Sequence, residues 1–193
     1  MKKILIINGS PRKDGNSDYA AKHIINKFNS IELNEWKLRK TKIDHCNGCA
    51  LCSSKVDLFC SRQDSFFERA EWMLQFDGVL IISPVYQGGV TSMVKQWMDR
   101  CEMFRMGRKL KGKICGGIAI GGYPGGGQEL TLMQIQYFAH ITAMKYVPSW
   151  GETRSHLGGH CIAGLKQEIK KDTEGLISCE NVVSNMIDSI SGL

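Results

Sequence analysis

The sequence predicts an α/β fold: a mainly parallel, five-stranded sheet covered by helices on both faces, in three layers. Three observations carry that prediction. Short β-branched runs alternate with amphipathic stretches of helical length along the chain. The two clearest runs, KILIIN at 3–8 and GVLIIS at 78–83, are almost continuously apolar, as strands buried on both faces must be. The length of 193 residues, 42% of them hydrophobic, suits a single domain, 1–193, with one good core. Five strands in that length fit the order 2-1-3-4-5 better than the larger six-stranded dinucleotide fold.

The first strand is 3–8, ended by Gly9, and a helix follows at 15–28, with Tyr19, Ala20, His23, Ile24 and Phe28 spaced near three and four. A weaker strand is expected at 34–39. Residues 44–62 form a polar, cysteine-rich loop. DSFFERAEWMLQ at 64–75 has a helical period, and Pro84 stops the strand at 78–83. Then come a helix at 91–103, a strand at 113–120, a long helix at 128–144, a short fifth strand at 146–150 and a closing helix at 174–190. No repeat or linker interrupts the series.

Composition removes several classes of function. Charged residues are 23% of the chain and the net charge is +6, ordinary for a folded protein. No apolar run approaches the roughly 18 residues of a membrane span. The opening MKKILIINGS breaks its apolar stretch at Asn8-Gly9-Ser10, too early for a secretory signal, so no membrane partner and a cytoplasmic location are expected. Cytoplasmic thiols stay reduced, so the eight cysteines are not a disulfide framework. Cys101, Cys115, Cys161 and Cys179 are scattered and read as small buried hydrophobes. The basic run at 105–113 lacks an aromatic stacking platform and reads as a solvated helix end, without a nucleic-acid partner. His156 and His160 read as part of a surface loop, and Trp36, Trp72, Trp97 and Trp150 as packing residues.

In open α/β sheets, ligands bind beyond the carboxyl ends of the strands. The search therefore falls on the loops at 9–17, 83–91 and 121–128. GSPRKDGNS at 9–17 offers small residues, two hydroxyls, the cations Arg12 and Lys13, and a helix N-terminus, all favourable to an anion. It matches neither the Walker A nor the GxGxxG spacing. A turn capped by Asn16 or Ser17 would account for the same residues.

NGSPRKDGNS resembles the phosphate-binding loop of the NADPH-dependent FMN reductase family, which has a flavodoxin-like fold. Ser83-Pro84-Val85-Tyr86, followed by Ser92, Lys95 and Asp99-Arg100, is similar to that family's SPxY…S…K…DR stretch. Gly126-Gly127-Gln128-Glu129 resembles an element of one branch. The resemblance runs in order through nearly the whole chain. It implies that Ser10, Arg12, Asn16 and Ser17 hold an FMN phosphate. It further implies that Pro84, Val85, Tyr86, Gln87 and Gly88 border the isoalloxazine ring, and that Gly121, Gly122 and Tyr123 close the pocket.

Cys46, Cys49, Cys52 and Cys60 form C-x2-C-x2-C-x7-C. Four thiolates at such spacings complete a [4Fe–4S] centre, and the same number of soft ligands suits zinc. Free or redox-active thiols are a third reading. The compact arrangement resembles that of the iron–sulfur flavoprotein branch, although Gln63-Asp64 stands where relatives commonly show two acidic residues. The implied function is an FMN-dependent oxidoreductase taking electrons from NAD(P)H or a reduced carrier protein to an acceptor. An electron-transfer protein without a small-molecule substrate, and a non-catalytic flavin-binding module, are the alternatives. The resemblance also implies a homodimer or homotetramer.

Overall fold

A computed structural model of the chain describes residues 2–55, 57, 59–151 and 154–192. The elements are β1 (Lys3–Asn8), α1 (Asn16–Lys27), β2 (Glu32–Lys37), α2 (Ser65–Met73), β3 (Gly78–Pro84), α3 (Ser92–Arg100), β4 (Ile114–Gly121), α4 (Gln128–Ile141), β5 (Lys145–Tyr146), β6 (Gly159–Ile162) and α5 (Thr173–Ser191). All strand pairings are parallel, in the order β2-β1-β3-β4-β5, with β6 also paired to β4.

Alternation along the central strands divides the core in two. Leu5 and Ile7 of β1 and Val79 and Ile81 of β3 pack with Phe66, Trp97 and Phe138 under α2, α3 and α4. Ile4, Ile6, Leu80 and Ile82 face the other way, onto Ala20 and Ile24 of α1 and Val182 and Met186 of α5. Each fully buried aliphatic side chain contributes about 1.5–3 kcal/mol of transfer free energy. The central strands are therefore the rigid base from which the loops project.

The fifth column of the sheet differs from expectation. The strand expected at 146–150 is reduced to Lys145–Tyr146, opposite Ile114 and Cys115. Pro148 has no N–H to extend the ladder, and the chain leaves the sheet there. It returns as β6, whose Gly159–Ile162 pair with Ile118–Gly121 higher on the same strand. The expectation of a surface loop around His156, His160 and Cys161 is corrected for two of the three, since His160 and Cys161 are buried in β6. Trp150, expected to pack, is 64% exposed and rests on the His156 ring.

Smaller differences lie at element ends. The second strand begins at Glu32 rather than at 34. The helix expected at 91–103 tightens into a 3-10 turn at Cys101–Phe104. The one expected at 128–144 stops at Ile141, because Ala143 adopts a left-handed φ of 60°. The scattered cysteines Cys101, Cys115, Cys161 and Cys179 are all buried, as expected. Among the described residues no helix is long and apolar enough to cross a membrane.

Candidate functional site

The loop after β1 is organised from below. Asn8 is buried, and its side-chain oxygen accepts the Ser10 N–H at 3.0 Å while its amide donates to Asp18 and Glu35. The Ser10 hydroxyl accepts the Arg12 N–H at 3.2 Å. Asp18, in the first turn of α1, accepts the Asp14 N–H and a bidentate pair of bonds from Arg39 at 2.8 and 3.0 Å. Lys37 lies 3.8 Å from the same carboxylate, so its charge is offset locally. Gly15 stands at the N-cap, with no side-chain cap, in place of the Asn16 or Ser17 cap weighed above. The first-turn N–H groups of α1 thus have neither an intrahelical acceptor nor a capping side chain, which is the arrangement an anion stabilises.

Thr91 ties this loop to the next. Its hydroxyl donates to the Gly9 carbonyl at 2.8 Å, and its N–H donates to the Ser83 hydroxyl at 3.1 Å. Tyr86 and Gly89 exchange both backbone hydrogen bonds around Gln87 and Gly88, whose φ values are 50° and 76°. Two consecutive positive φ values are the requirement of a type I′ turn. Tyr86 stands at the rim, 41% exposed. Val85 N–H donates to the Ile120 carbonyl at 2.9 Å, holding the turn against β4.

The loop after β4 is held by a buried amide. Gln128 Nε2 donates to the Tyr123 carbonyl at 2.9 Å and to the Cys161 carbonyl at 3.4 Å. Gly127, at φ 102°, lies against the turn so closely that a Cβ there would stand 2.8 Å from Gly88 Cα. The loop that begins at Gly121 and the turn at 84–88 are thus held together through Pro84 opposite Ile120, the Val85–Ile120 bond and the Gly127–Gly88 contact.

A fourth segment, outside the three loops named above, joins this edge. Residues 163–169, after β6, close on the first loop through Asn16. Its amide donates to the carbonyls of Ala163 and Leu165 at 3.1 and 2.9 Å, and its oxygen accepts the Ile169 N–H at 3.3 Å. The Asn16 side chain is thus occupied by protein, and what it offers an anion is its backbone N–H. The signal for this segment was the apolar Cys161-Ile162-Ala163 after a glycine pair, obscured by its shortness.

All four clustered cysteines line one narrow cavity of about 20 Å³, with Ser61, Arg62, Arg100 and Met103. Gly48 and Ala50 take left-handed φ values of 67° and 57°, which curl the loop around it. Cys46 and Cys49 are exposed, Cys52 and Cys60 half-buried. The Ser61 hydroxyl, 3.1 Å from Cys49 Sγ, and the Leu51 N–H hold the Cys49 thiol below its ordinary pKa. Burial, aided by the Glu102 carboxylate, pushes the Cys52 thiol up. Among the described residues no three His, Cys, Asp or Glu side chains converge on a single metal-ion position.

The model of the NADPH-dependent FMN reductase family matches residues 2–153. The chain belongs to this family. An iron-sulfur flavoprotein of Methanocaldococcus jannaschii is 33% identical over 182 residues, 93% of each chain. Another, from Methanosarcina thermophila, is 32% identical over 162 residues, 81% of each chain. Among solved structures, the FerB NAD(P)H:(acceptor) oxidoreductase of Paracoccus denitrificans superposes with a TM-score of 0.65 at 16% identity, covering 100% of this chain and 98% of its own. That likeness shows the flavodoxin-like fold.

Beside this FMN reductase family fold runs a groove of about 920 Å³, between α3 and α4, that reaches both Gly88 of the turn and Cys46 of the cysteine loop. Leu130, Met133, Tyr137 and Ile141 form an exposed apolar stripe along α4. The basic run at 105–113 is partly absorbed: Arg105 pairs with Glu102, and the Lys113 ammonium is held by the Leu74 and Phe76 carbonyls.

Proposed function

We propose that the protein is a cytoplasmic, FMN-dependent oxidoreductase that carries electrons from NAD(P)H or a reduced carrier protein to an acceptor. The observation that carries this reading is the convergence of the loops after β1, β3 and β4 at one edge of the sheet. Those loops offer an uncapped helix N-terminus with Arg12 and Lys13, an aromatic rim at Tyr86, and a glycine-rich wall at Gly121 and Gly122. A flavin mononucleotide asks for those three surfaces: an anion site, an apolar wall and close backbone approach. In this reading Ser10, Arg12, Ser17 and the Asn16 N–H hold the phosphate. The segments 84–88 and 121–123 flank the ring. FMN, when bound, supplies the exchange of a hydride or of single electrons, while the chain binds and orients.

The second element of the proposal is a [4Fe–4S] cluster held by Cys46, Cys49, Cys52 and Cys60. The donor set fits in kind: four thiols face one cavity, with N–H and O–H donors and the cations Arg62 and Arg100 to offset thiolate charge. A cubane takes one thiolate at each iron, so its ligands need not meet at a point. The narrow cavity must widen to admit it, and the loop is exposed and largely irregular in backbone. Such a centre transfers one electron at a time. Exposure of Cys46 and Cys49 favours a protein as one exchange partner. The apolar stripe of α4 supports pairing with a second copy of the chain.

Anaerobic purification with a visible spectrum and iron, sulfide, zinc and flavin analysis tests both elements. The expected result is one FMN and about four irons and four sulfides per chain. A chain that retains and binds no FMN overturns the first element. Iron and sulfide absent after reconstitution, with all four thiols reduced, overturns the second. Steady NAD(P)H turnover with a quinone or free flavin supports a reductase, and reduction only by ferredoxin a carrier.

A further inference from the structure

Arg100, the last residue of α3, is buried to 1% side-chain exposure and points into the neck of the cysteine loop. Its guanidinium binds both stems of that loop. Nη1 donates to the Asp44 carbonyl at 2.8 Å on the outgoing stem and to Asp64 Oδ2 at 2.6 Å on the returning one. Nη2 donates to Asp64 Oδ1 at 2.9 Å, the Arg62 carbonyl at 3.3 Å and Cys60 Sγ at 3.4 Å. Asp64 completes the neck by accepting the Asp44 N–H at 2.8 Å, and it caps α2 through Phe67 N–H. The Phe66 ring closes one side, 4.9 Å from the guanidinium carbon.

Two physical features separate this arrangement from an ordinary ion pair. The four Nη hydrogens of a planar guanidinium reach a bidentate carboxylate, two carbonyls and a sulfur, which the three of an ammonium cannot, while Nε–H has no partner among the described residues. Among the four clustered cysteines, moreover, Cys60 is the one whose sulfur meets a buried cationic donor. Among the described residues Cys46 accepts the exposed Gly48 N–H, at 3.5 Å, and Cys49 neighbours a hydroxyl. Arg100 also sits at one end of the helix whose other end, Ser92, follows the Thr91 anchor of the flavin loops. A nine-residue helix spans about 13 Å, so the cysteine loop hangs on the same rigid element as the proposed flavin wall.

We infer that Arg100 is a positioning residue for the cysteine centre: it closes the loop neck and donates a hydrogen bond to the Cys60 sulfur that tunes the bound cluster. The inference rests on the cluster reading above. A donor to a ligand sulfur withdraws electron density and favours the reduced cluster, so its removal lowers the reduction potential. Partners in the outer shell of a metal ligand typically contribute 10–100-fold in metal affinity.

The test compares anaerobically purified wild type with Arg100→Lys and with the double variant Arg100→Gln/Asp64→Asn, which removes both buried charges together. Three quantities are read: the rate of iron loss to a chelator, the cluster's midpoint potential, and the FMN content. The double variant is expected to lose iron at least tenfold faster. Its cluster is expected to shift about tenfold in its oxidised-to-reduced ratio at fixed ambient potential, downward by about 59 mV for one electron. Arg100→Lys, which keeps the charge, moves the potential less, and FMN content is unchanged in both. A merely structural role would change iron loss but leave the potential in place. Clusters with wild-type potential in both variants overturn the inference, and if the double variant fails to fold, Arg100→Lys alone decides by the same criterion. A wild type without iron and sulfide overturns the cluster reading itself.

Discussion

The side-chain amide of Asn16 donates to the carbonyl of Leu165 at 2.9 Å across 149 positions of sequence. With the bonds to Ala163 and Ile169 it makes α1 and the segment after β6 one structural unit. The proposed phosphate loop is consequently braced by a part of the chain that contributes nothing to its local pattern.

Replacing Asn16 tests that brace. Asn16→Ala removes three hydrogen bonds and is expected to cost about 1–3 kcal/mol in urea unfolding. Asn16→Asp retains the acceptor for Ile169 N–H but sets a carboxylate against two carbonyls and beside the proposed anion site. It should weaken FMN binding more than Asn16→Ala, as read by fluorescence titration. Equal affinities in the two variants would show that the brace does not act on the phosphate loop.

Gly127→Ala acts on the opposite wall. A side chain there meets Gly88 Cα at 2.8 Å in a left-handed backbone conformation, so the 86–89 turn must shift. The conformational part alone costs about 1–2 kcal/mol. FMN affinity should fall about tenfold with the far-UV spectrum unchanged. Unaltered affinity would place the ring away from this wall.

His160 makes stability depend on pH. Burial holds the imidazole below the ordinary histidine value, against the pull of Glu129, whose carboxylate stands 3.3 Å from Nδ1, and of Asp172, with Arg154 opposing them. The folded chain therefore binds its proton later than the unfolded chain as pH falls. The stability is complete above about pH 6.5 and is lost as pH drops below it. Urea unfolding at pH 7.5 and 5.5 should show a smaller loss in His160→Gln than in wild type. An identical loss in both would remove His160 as the cause.

The α4 stripe predicts assembly. Tyr137 and Met133 are 68% and 51% exposed on one helix face, and a charge there would be buried by any partner copy. Tyr137→Glu should lower the mass measured by light scattering to that of one chain, with the thermal midpoint of FMN-free protein within a few degrees of wild type. A wild type that is already a single chain removes the pairing.

How much was legible in the sequence follows from where each signal is stored. The β-branched runs at 3–8 and 78–83 need only local composition to declare a doubly buried strand, and the strand order followed from number and length. The loop at 9–17 was readable because a strand–glycine–helix junction advertises unpaired N–H groups in a contiguous stretch. The four cysteines at 46–60 were readable from spacing. By contrast β6 is four residues long and carries a glycine, a histidine and a cysteine. It is a strand because β4 offers it a ladder and because Gly159, whose Cβ would meet Cys179 Sγ at 3.2 Å, admits α5 closely.

By itself, then, the sequence determined the layered parallel sheet, the loops proposed to hold the ligand and the set of thiols, because periodicity and spacing are local properties. Only the tertiary structure decided that Asn16 spends its side chain on residues 163–169. It alone brought Arg100 to the neck of the cysteine loop, across 40 positions from Cys60 and 56 from Asp44. A hydrogen bond between distant segments has no period to betray it. It exists once the packing of α1, α3 and the strands has fixed where their ends meet.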